Sequence, residues 1–343
     1  MARVTIKDVA REAGVSLGSV SRVLNGLPVS DRLLQKVNAA IAKLGYAPDA
    51  LAQSMRTHST GAIGCLVPDI SNPLYAAIVN TLDRGLQHQG YMLMLASPAA
   101  GGRSELQIIA EFQRRRVDGL IIAPDSETDP ALMEALGRFN GPIVVLGRDF
   151  QQRFDTVLVE YRTGVQAATR YLLSLGHRRI ALMTPLIDVW PGRERVAGFR
   201  AAYAELGLDP ALGVVLPQTL ELDAAADVDR LLGSAEPPTA LLAIGGRVLT
   251  GALRAIRSRG LRIPTDLSLI SIGDPEWVGV FNPAITALRW DVARLAQSTI
   301  ALLLKSQQAG QAASPQRVLI STDLVLRDSC APPAAVGRAV SAY

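Results

Sequence analysis

The chain has 343 residues, 49% of them hydrophobic and 19% charged, which excludes a disordered or fibrous polymer and allows two or three packed units. Its net charge is +4, and all of it belongs to residues 1–60, where eight basic groups meet four acidic ones. Two cysteines, Cys65 and Cys330, make no disulfide framework, no apolar run approaches membrane-span length, and MARVTIKD lacks a leader's apolar core. The expectation is a reducing cytoplasm, close to the nucleoid, and no membrane.

In chain order, residues 5–25 read as two short helices joined by a tight turn. Ile6, Val9, Ala10 and Ala13 form one apolar stripe, and Thr5 stands at the N-cap with Asp8 at the capping-box position. Gly14 supplies the left-handed residue that ends a helix. Ser16 caps a second helix that buries Val20, Val23 and Leu24 and turns Leu17, Gly18, Ser21, Arg22 and Asn25 outward. This is helix-turn-helix spacing, on a basic head suited to a phosphate backbone. A third helix, capped by Ser30, places Leu34, Val37, Ile41 and Leu44 on one face and stops at Gly45. Residues 48–61, PDALAQSMRTHSTG, open on a proline fit for a first helical position and run into a polar linker. So short a helix is unstable alone and forms only when held, as a hinge does.

From residue 62 strands alternate with helices. Strands are expected at 62–67, 91–96, 118–122 and 142–146, then again at 179–183, 213–216, 239–244 and 267–272, with amphipathic segments between. Near-continuous apolar strands separated by helices indicate parallel sheets covered on both faces. Because the series occurs twice, two α/β lobes with a cleft between them are expected. Residues 331–343 have the composition of a flexible tail.

Six stretches carry a resemblance. VTIKDVAREAGVSLGSVSRVLN at 4–25, IAKLGYAPDALAQSMRT at 41–57 and IGCLVPDISNPLY at 63–75 resemble LacI/GalR-type regulators. So do LGHRRIAL at 175–182, RVAGFRAA at 195–202 and GLRIPTDLSLI at 260–270. The similarity runs from about residue 3 to residue 328. It implies an α/β protein with a three-helix head at 1–46 and a hinge helix and linker at 47–60. A core at 61–330 follows, made of two doubly wound lobes of the type I periplasmic-binding-protein kind. The first lobe would take about 61–159 and 291–318, the second about 160–288 and 319–330, with the tail at 331–343. It also implies a homodimeric, sequence-specific transcriptional regulator, expected to be a repressor. Its affinity for a pseudo-palindromic DNA operator would be set by a small molecule in the cleft.

The resemblance assigns base reading to Leu17, Gly18 and Arg22. Arg22 can fork onto guanine O6 and N7, Leu17 offers apolar contact to a thymine methyl, and Gly18 brings no side chain. Ser16, Ser19, Ser21 and Asn25 suit phosphate contacts, and Thr5 joins the DNA-contacting set. In the hinge, Leu51 and Met55 are four apart on one face. Met55 stands where relatives wedge a leucine into the minor groove, with Arg56 beside it.

Doubly wound lobes hold ligands beyond the C-terminal ends of their strands. Those ends carry Asp69, Asn72, Tyr75, Asp125 and Arg148 in the first lobe. In the second they carry Trp190, Arg193, Arg195, Gly245, Asp274 and Trp277, and Trp290 falls at the crossover. Arg195 matches the arginine with which relatives hold sugar or purine groups. Gly147, Gly245–Gly246 and Gly273 stand where relatives carry acids and an Asn-Asp pair, so the hydroxyl-binding acids are mostly missing. All three tryptophans fall on cleft segments, and the effector expected is a sugar or an aromatic or acidic metabolite with a flat face.

Catalysis is not expected. The G-x-S-x-G string at Gly14–Gly18 follows a helix rather than the strand a nucleophile elbow needs, and His58, His88 and His177 lie apart. There is no dinucleotide or Walker loop, and neither a cofactor nor a metal at Asp69, Asp125 and Asp274 is expected. A transport-type binding protein could use the same lobes, but it calls for a leader and for no basic head.

Overall fold

The computed structural model describes residues 4–24, 26–46, 59–98, 102–218, 224–309 and 314–334. Asn25, Leu51, Met55 and Arg56 lie outside the described residues. The chain divides into two units, Met1–Thr60 and Gly61–Tyr343.

The first unit holds helices α1 (Ile6–Ala13), α2 (Leu17–Leu24) and α3 (Asp31–Leu44). The Asp8 carboxylate accepts from the backbone N–H of Thr5 at 3.0 Å and from its hydroxyl at 2.7 Å, which ties down the first turn. Gly14 ends α1 at φ 63°, a conformation glycine takes without strain. Val9, Ala10, Val20, Val37 and Ala40 form the buried core. On α3 the expected Leu34 is instead 40% exposed, and its neighbour Leu33 packs on the core. Val37, Ile41 and Leu44 pack there as read from spacing, and only Leu34 gives way to Leu33, which lies one turn before Val37 equally well.

Among its described residues the second unit holds twelve strands in two six-stranded sheets. The first sheet is β1 (Ala62–Leu66), β2 (Met92–Ala96), β3 (Gly119–Ile122), β4 (Ile143–Leu146), β5 (Asp155–Val159) and β11 (Arg317–Ile320). The second is β6 (Ile180–Pro185), β7 (Val214–Gln218), β8 (Ala240–Ile244), β9 (Ser268–Ile272), β10 (Thr286–Trp290) and β12 (Thr322–Val325). Their spatial orders are β11-β5-β4-β3-β1-β2 and β12-β10-β9-β8-β6-β7, the same topology twice. Every pairing is parallel except β10 with β12. Helices on both faces cover the apolar strands, as parallel sheets require.

Four strands, β5, β10, β11 and β12, escape a reading of apolar runs. β5 starts on a buried acid, Asp155, whose carboxylate accepts from Ser306 Oγ and from the Gln316 amide. β11 and β12 are edge strands with mixed exposure, so neither makes a continuous apolar run. Only Ser321 separates them, so the chain passes between sheets at 321 and not at 318–319, inside β11. Likewise β10 runs on to Trp290, past the expected lobe limit at 288.

Glycines set the close helix packing of the second lobe. Helix α7 (Tyr161–Ser174) lies against α8 (Trp190–Glu205), and a Cβ built on Gly198 would run into the Arg162 carbonyl. The start of the expected tail is not loose. The Ala331 carbonyl lies 2.9 Å from His177 Nε2, and the Ala331 amide donates to Ser268 Oγ at 3.1 Å. His177 is buried, its Nδ1 is 2.8 Å from Thr239 Oγ1, and burial lowers its pKa. His177 and Ser268 thus tie Ala331 to the second sheet. Among the described residues no helix is long and apolar enough to cross a membrane.

Candidate functional site

On the head, Thr5, Ser16, Leu17, Gly18 and Arg22 are exposed, while Ser19 and Ser21 are half-buried. Ser16 Oγ accepts from the Ser19 amide at 3.1 Å and lies 2.9 Å from its hydroxyl, so Ser16 caps α2 and ties up Ser19. Leu17 shows 46% of its surface, an apolar group left open among the described residues. At Gly18 a Cβ would meet nothing nearer than Ser16 Oγ at 3.8 Å, so backbone here can come close to a partner. Arg22 Nη2 donates to the Pro28 carbonyl at 3.1 Å, which aims the guanidinium along the outer face of α2.

The cleft of the second unit lies beyond the C-terminal ends of β1, β4, β6 and β8 and encloses a cavity of about 140 Å³. From the first sheet come Asp69, Asn72, Tyr75 and Arg148, and from the second Arg195 and Gly245, with Trp290 at the crossover. Asn72 is engaged as the N-cap of α4 (Pro73–His88), accepting from the Leu74 amide at 3.0 Å. Asp69 accepts from the Ser71 amide and hydroxyl and pairs with Arg247 at 2.9 Å. Despite partial burial of Asp69, these partners hold its pKa below the usual carboxylate range. Tyr161 packs edge-on to Trp290 with ring centres 5.5 Å apart, and the Arg195 guanidinium lies 4.1 Å over the Tyr161 ring. Arg148 is 2% exposed and Arg195 4%.

Five expected ligand residues do not line this cavity. Trp190 lies under the Arg317 guanidinium at 4.5 Å, where a first-sheet arginine covers its face. Trp277 packs on the second lobe's core, so of the three tryptophans Trp290 alone reaches the cavity. Arg193 pairs with Glu127 at 2.8 Å, outside the cavity. Asp274 borders an adjoining cavity of about 130 Å³, but both its oxygens are held by Arg327 at 2.8 Å. Asp125 sits near Arg148 without an ion pair, its amide donating to Glu105 at 3.0 Å.

Two features had no sequence signal. Arg247 reaches from the second lobe to Asp69 of the first, across 178 positions of chain. Glu127, on the loop after β3, accepts from the Trp190 amide at 2.8 Å, from the Asp149 amide at 3.0 Å and from Arg193. Both bridge the lobes, and long-range pairs of this kind leave no periodicity to read.

Glu105 gives a pH prediction. Burial, with the nearby Asp125 charge, pushes its pKa up to about 7. The folded chain then holds a proton that the unfolded chain has already lost, so stability falls as pH rises from the ordinary glutamate value toward 7. Glu105→Gln is expected to raise the stability at pH 8 by on the order of 1 kcal/mol after solvent screening, seen as a higher melting point, and to change little at pH 4. Melting curves at both pH values check it; an equal effect at both refutes it.

With this geometry in view, comparison with known proteins is specific. Residues 5–49 match the bacterial regulatory proteins of the lacI family, and residues 169–330 match a periplasmic binding protein-like domain. The ribose operon repressor of Escherichia coli K12 is 32% identical over 304 residues, 88% of this chain and 92% of that protein. The transcriptional repressor PurR of Vibrio atlanticus is 30% identical over 306 residues, 88% and 91% of the two chains. The lac repressor dimer bound to operator and the anti-inducer ONPF superposes with a TM-score of 0.83 at 25% identity, covering 96% of this chain and all of that one. The chain belongs to the lacI family of bacterial regulatory proteins. It is a DNA-binding transcriptional regulator with a two-lobed effector-binding core.

Proposed function

We propose that this chain represses transcription as a cytoplasmic homodimer whose grip on a pseudo-palindromic operator is set by a small molecule in the cleft, with no catalysis of its own. The observation that carries it is one cavity lined by both lobes and closed by paired charges, on a chain whose head exposes Leu17, Gly18 and Arg22 together. A dimer fits because its relative, the lac repressor, is a dimer on its operator. Arg22 reads a base, Ser16, Ser19, Ser21, Asn25 and Thr5 position the head on phosphates, and Leu51, Met55 and Arg56 work in the minor groove. In the cleft, Tyr75, Arg148, Arg195 and Trp290 hold the effector, while Asp69 and Arg247 close one side. A solved relative from Enterococcus faecium carries bound ribose, so a ring of that size is a reasonable occupant of the equivalent space.

Ligand must bind the DNA-competent and incompetent forms unequally, typically by about 1–3 kcal/mol, for the cleft to control the head. Selection of operators from random DNA, followed by titration with candidate metabolites, tests the whole reading. A two-fold-symmetric site whose affinity changes with one metabolite is expected; an asymmetric site, or none, rejects it. Met55→Ala is expected to weaken operator binding at least about tenfold at fixed salt with the melting point unchanged, since a minor-groove wedge repays its cost only as bound DNA bends. Unchanged affinity would reject the wedge.

A further inference from the structure

Burying a guanidinium is costly unless a carboxylate and hydrogen bonds meet it. Around the cleft the largely buried Arg327 meets both oxygens of Asp274 in keeping with that rule, and even the half-exposed Arg193 and Arg247 are paired, with Glu127 and Asp69. Arg148 and Arg195 break it. Arg148 donates only to its neighbour's carbonyl, Gly147 O at 2.9 Å, and its Nε and Nη2 have no partner. Arg195 donates from Nη1 to Thr184 Oγ1 at 3.0 Å, and its Nε has none. Neither arginine forms an ion pair among the described residues, although both border the same cavity and both charges act on the Tyr75 hydroxyl.

What is unmet in this cavity is all of one kind. Among the described residues, every buried side-chain nitrogen or oxygen left without a partner is a donor nitrogen. Four of these six atoms belong to cavity residues: Nε and Nη2 of Arg148, Nε of Arg195 and Nε1 of Trp290. The carboxylate and amide oxygens of the cavity are already engaged, Asp69 by Arg247 and Ser71, Asn72 by its helix. Gly147, at φ 65° with nothing within 4 Å of a built Cβ, leaves open the place where a side-chain oxygen would stand. A neutral polyol needs acceptors for its hydroxyl protons as well as donors; an oxyanion needs donors only.

We propose that the effector carries a compact oxyanion, a carboxylate or a phosphate, seated on Arg148 and Arg195, with its ring or apolar body against Tyr75, Tyr161 and Trp290. The proposal rests on reading the cleft as the effector site. Arg148 is its particular mark: the forked guanidinium lies buried without an ion pair, the Asp125 carboxylate being near it but not bonded to it, and the ligand's oxyanion completes the site.

The test uses the full-length protein and matched probes: D-ribose 5-phosphate against D-ribose, D-gluconate against D-glucitol, and inorganic phosphate. Binding is read from Trp290 emission in a Trp190→Phe, Trp277→Phe background and from the melting temperature. The charged member of one pair is expected to bind at least about tenfold tighter than its neutral twin, and the responding pair tells phosphate from carboxylate. Arg148→Met is expected to remove that ratio while its ligand-free form melts no lower than the parent, since an unpaired buried charge has been removed. Equal binding of twins, no charge-dependent binding in either arm, or a ratio unmoved by Arg148→Met overturns the proposal. So does a ligand-free Arg148→Met that melts more than about 5 °C lower, which would assign the arginine to the fold. A neutral compound that moves Trp290 emission overturns the oxyanion but leaves the cleft as the effector site. A compound that changes operator affinity without moving Trp290 emission, equally in Arg148→Met, overturns both.

Discussion

Replacing Arg22 with alanine is expected to weaken binding to the selected operator by about 1–3 kcal/mol and to relax the sequence requirement at one base pair of each half-site. The side chain is exposed on α2, and among the described residues its guanidinium donates to the Pro28 carbonyl. Trading that neutral acceptor for a guanine edge exchanges one hydrogen bond for a bidentate pair. Leu17 and Gly18 supply no hydrogen bonds, so the loss should not be shared among neighbours. Arg22→Lys keeps the charge but not the fork and should recover salt dependence without recovering base preference. Competition binding against operators varied at each position decides the matter. A uniform loss across sequences, with the salt slope reduced by about one, would make Arg22 a phosphate contact instead.

Glu127→Ala is expected to destabilise the core by about 3 kcal/mol and to uncouple effector from operator. Helix α8 begins at Trp190 after Val189, which has no side-chain oxygen to cap it. Glu127, reaching from the other lobe, accepts from the Trp190 amide and stands as a negative charge at the helix's positive end. Its second oxygen pairs with Arg193, and it also receives the Asp149 amide, next to Arg148. Removing it leaves two backbone donors unmet, each costing about 1–3 kcal/mol, less whatever water restores. The same helix carries Arg195 into the cavity, so the lobe angle and the ligand's anchor share this one carboxylate. Glu127→Gln keeps the acceptor and should retain most of the stability while weakening the ion pair. Chemical denaturation checks the first effect, and operator titration with and without effector the second. A variant with wild-type stability and intact response would show the bridge to be incidental.

The head was legible almost residue by residue. Its helices are local objects, with Asp8, Gly14 and Ser16 acting within four positions of the residues they serve. Two readings slip there: Ser30 stands at the N-cap of α3 without a side-chain cap bond, and Leu33 packs in place of Leu34 on a helix where adjacent leucines satisfy the same spacing. The doubled α/β series was legible for a similar reason, since parallel strands buried on both faces are written as apolar runs. β11 and β12 were not, because edge strands half-open to solvent carry a mixed pattern.

The cleft was legible only as a set of strand ends. Of the residues standing there, Asp69, Asn72, Tyr75, Arg148, Arg195, Gly245 and Trp290 converge on the cavity, while Trp190 and Trp277 turn into packing. Position along a strand decides which end of a sheet a residue occupies, and that much is one-dimensional information. Which side chain then faces the cavity depends on neighbours far away in the chain, such as Arg317 over Trp190 and Arg327 on Asp274. The sequence by itself thus determined the head, the twofold repeat of the lobes and the end of the sheets where a ligand can sit. Tertiary structure alone decided which arginines are neutralised and that the two lining the cavity, Arg148 and Arg195, keep unpaired donors without an ion pair, because charge pairing is settled by distance in space.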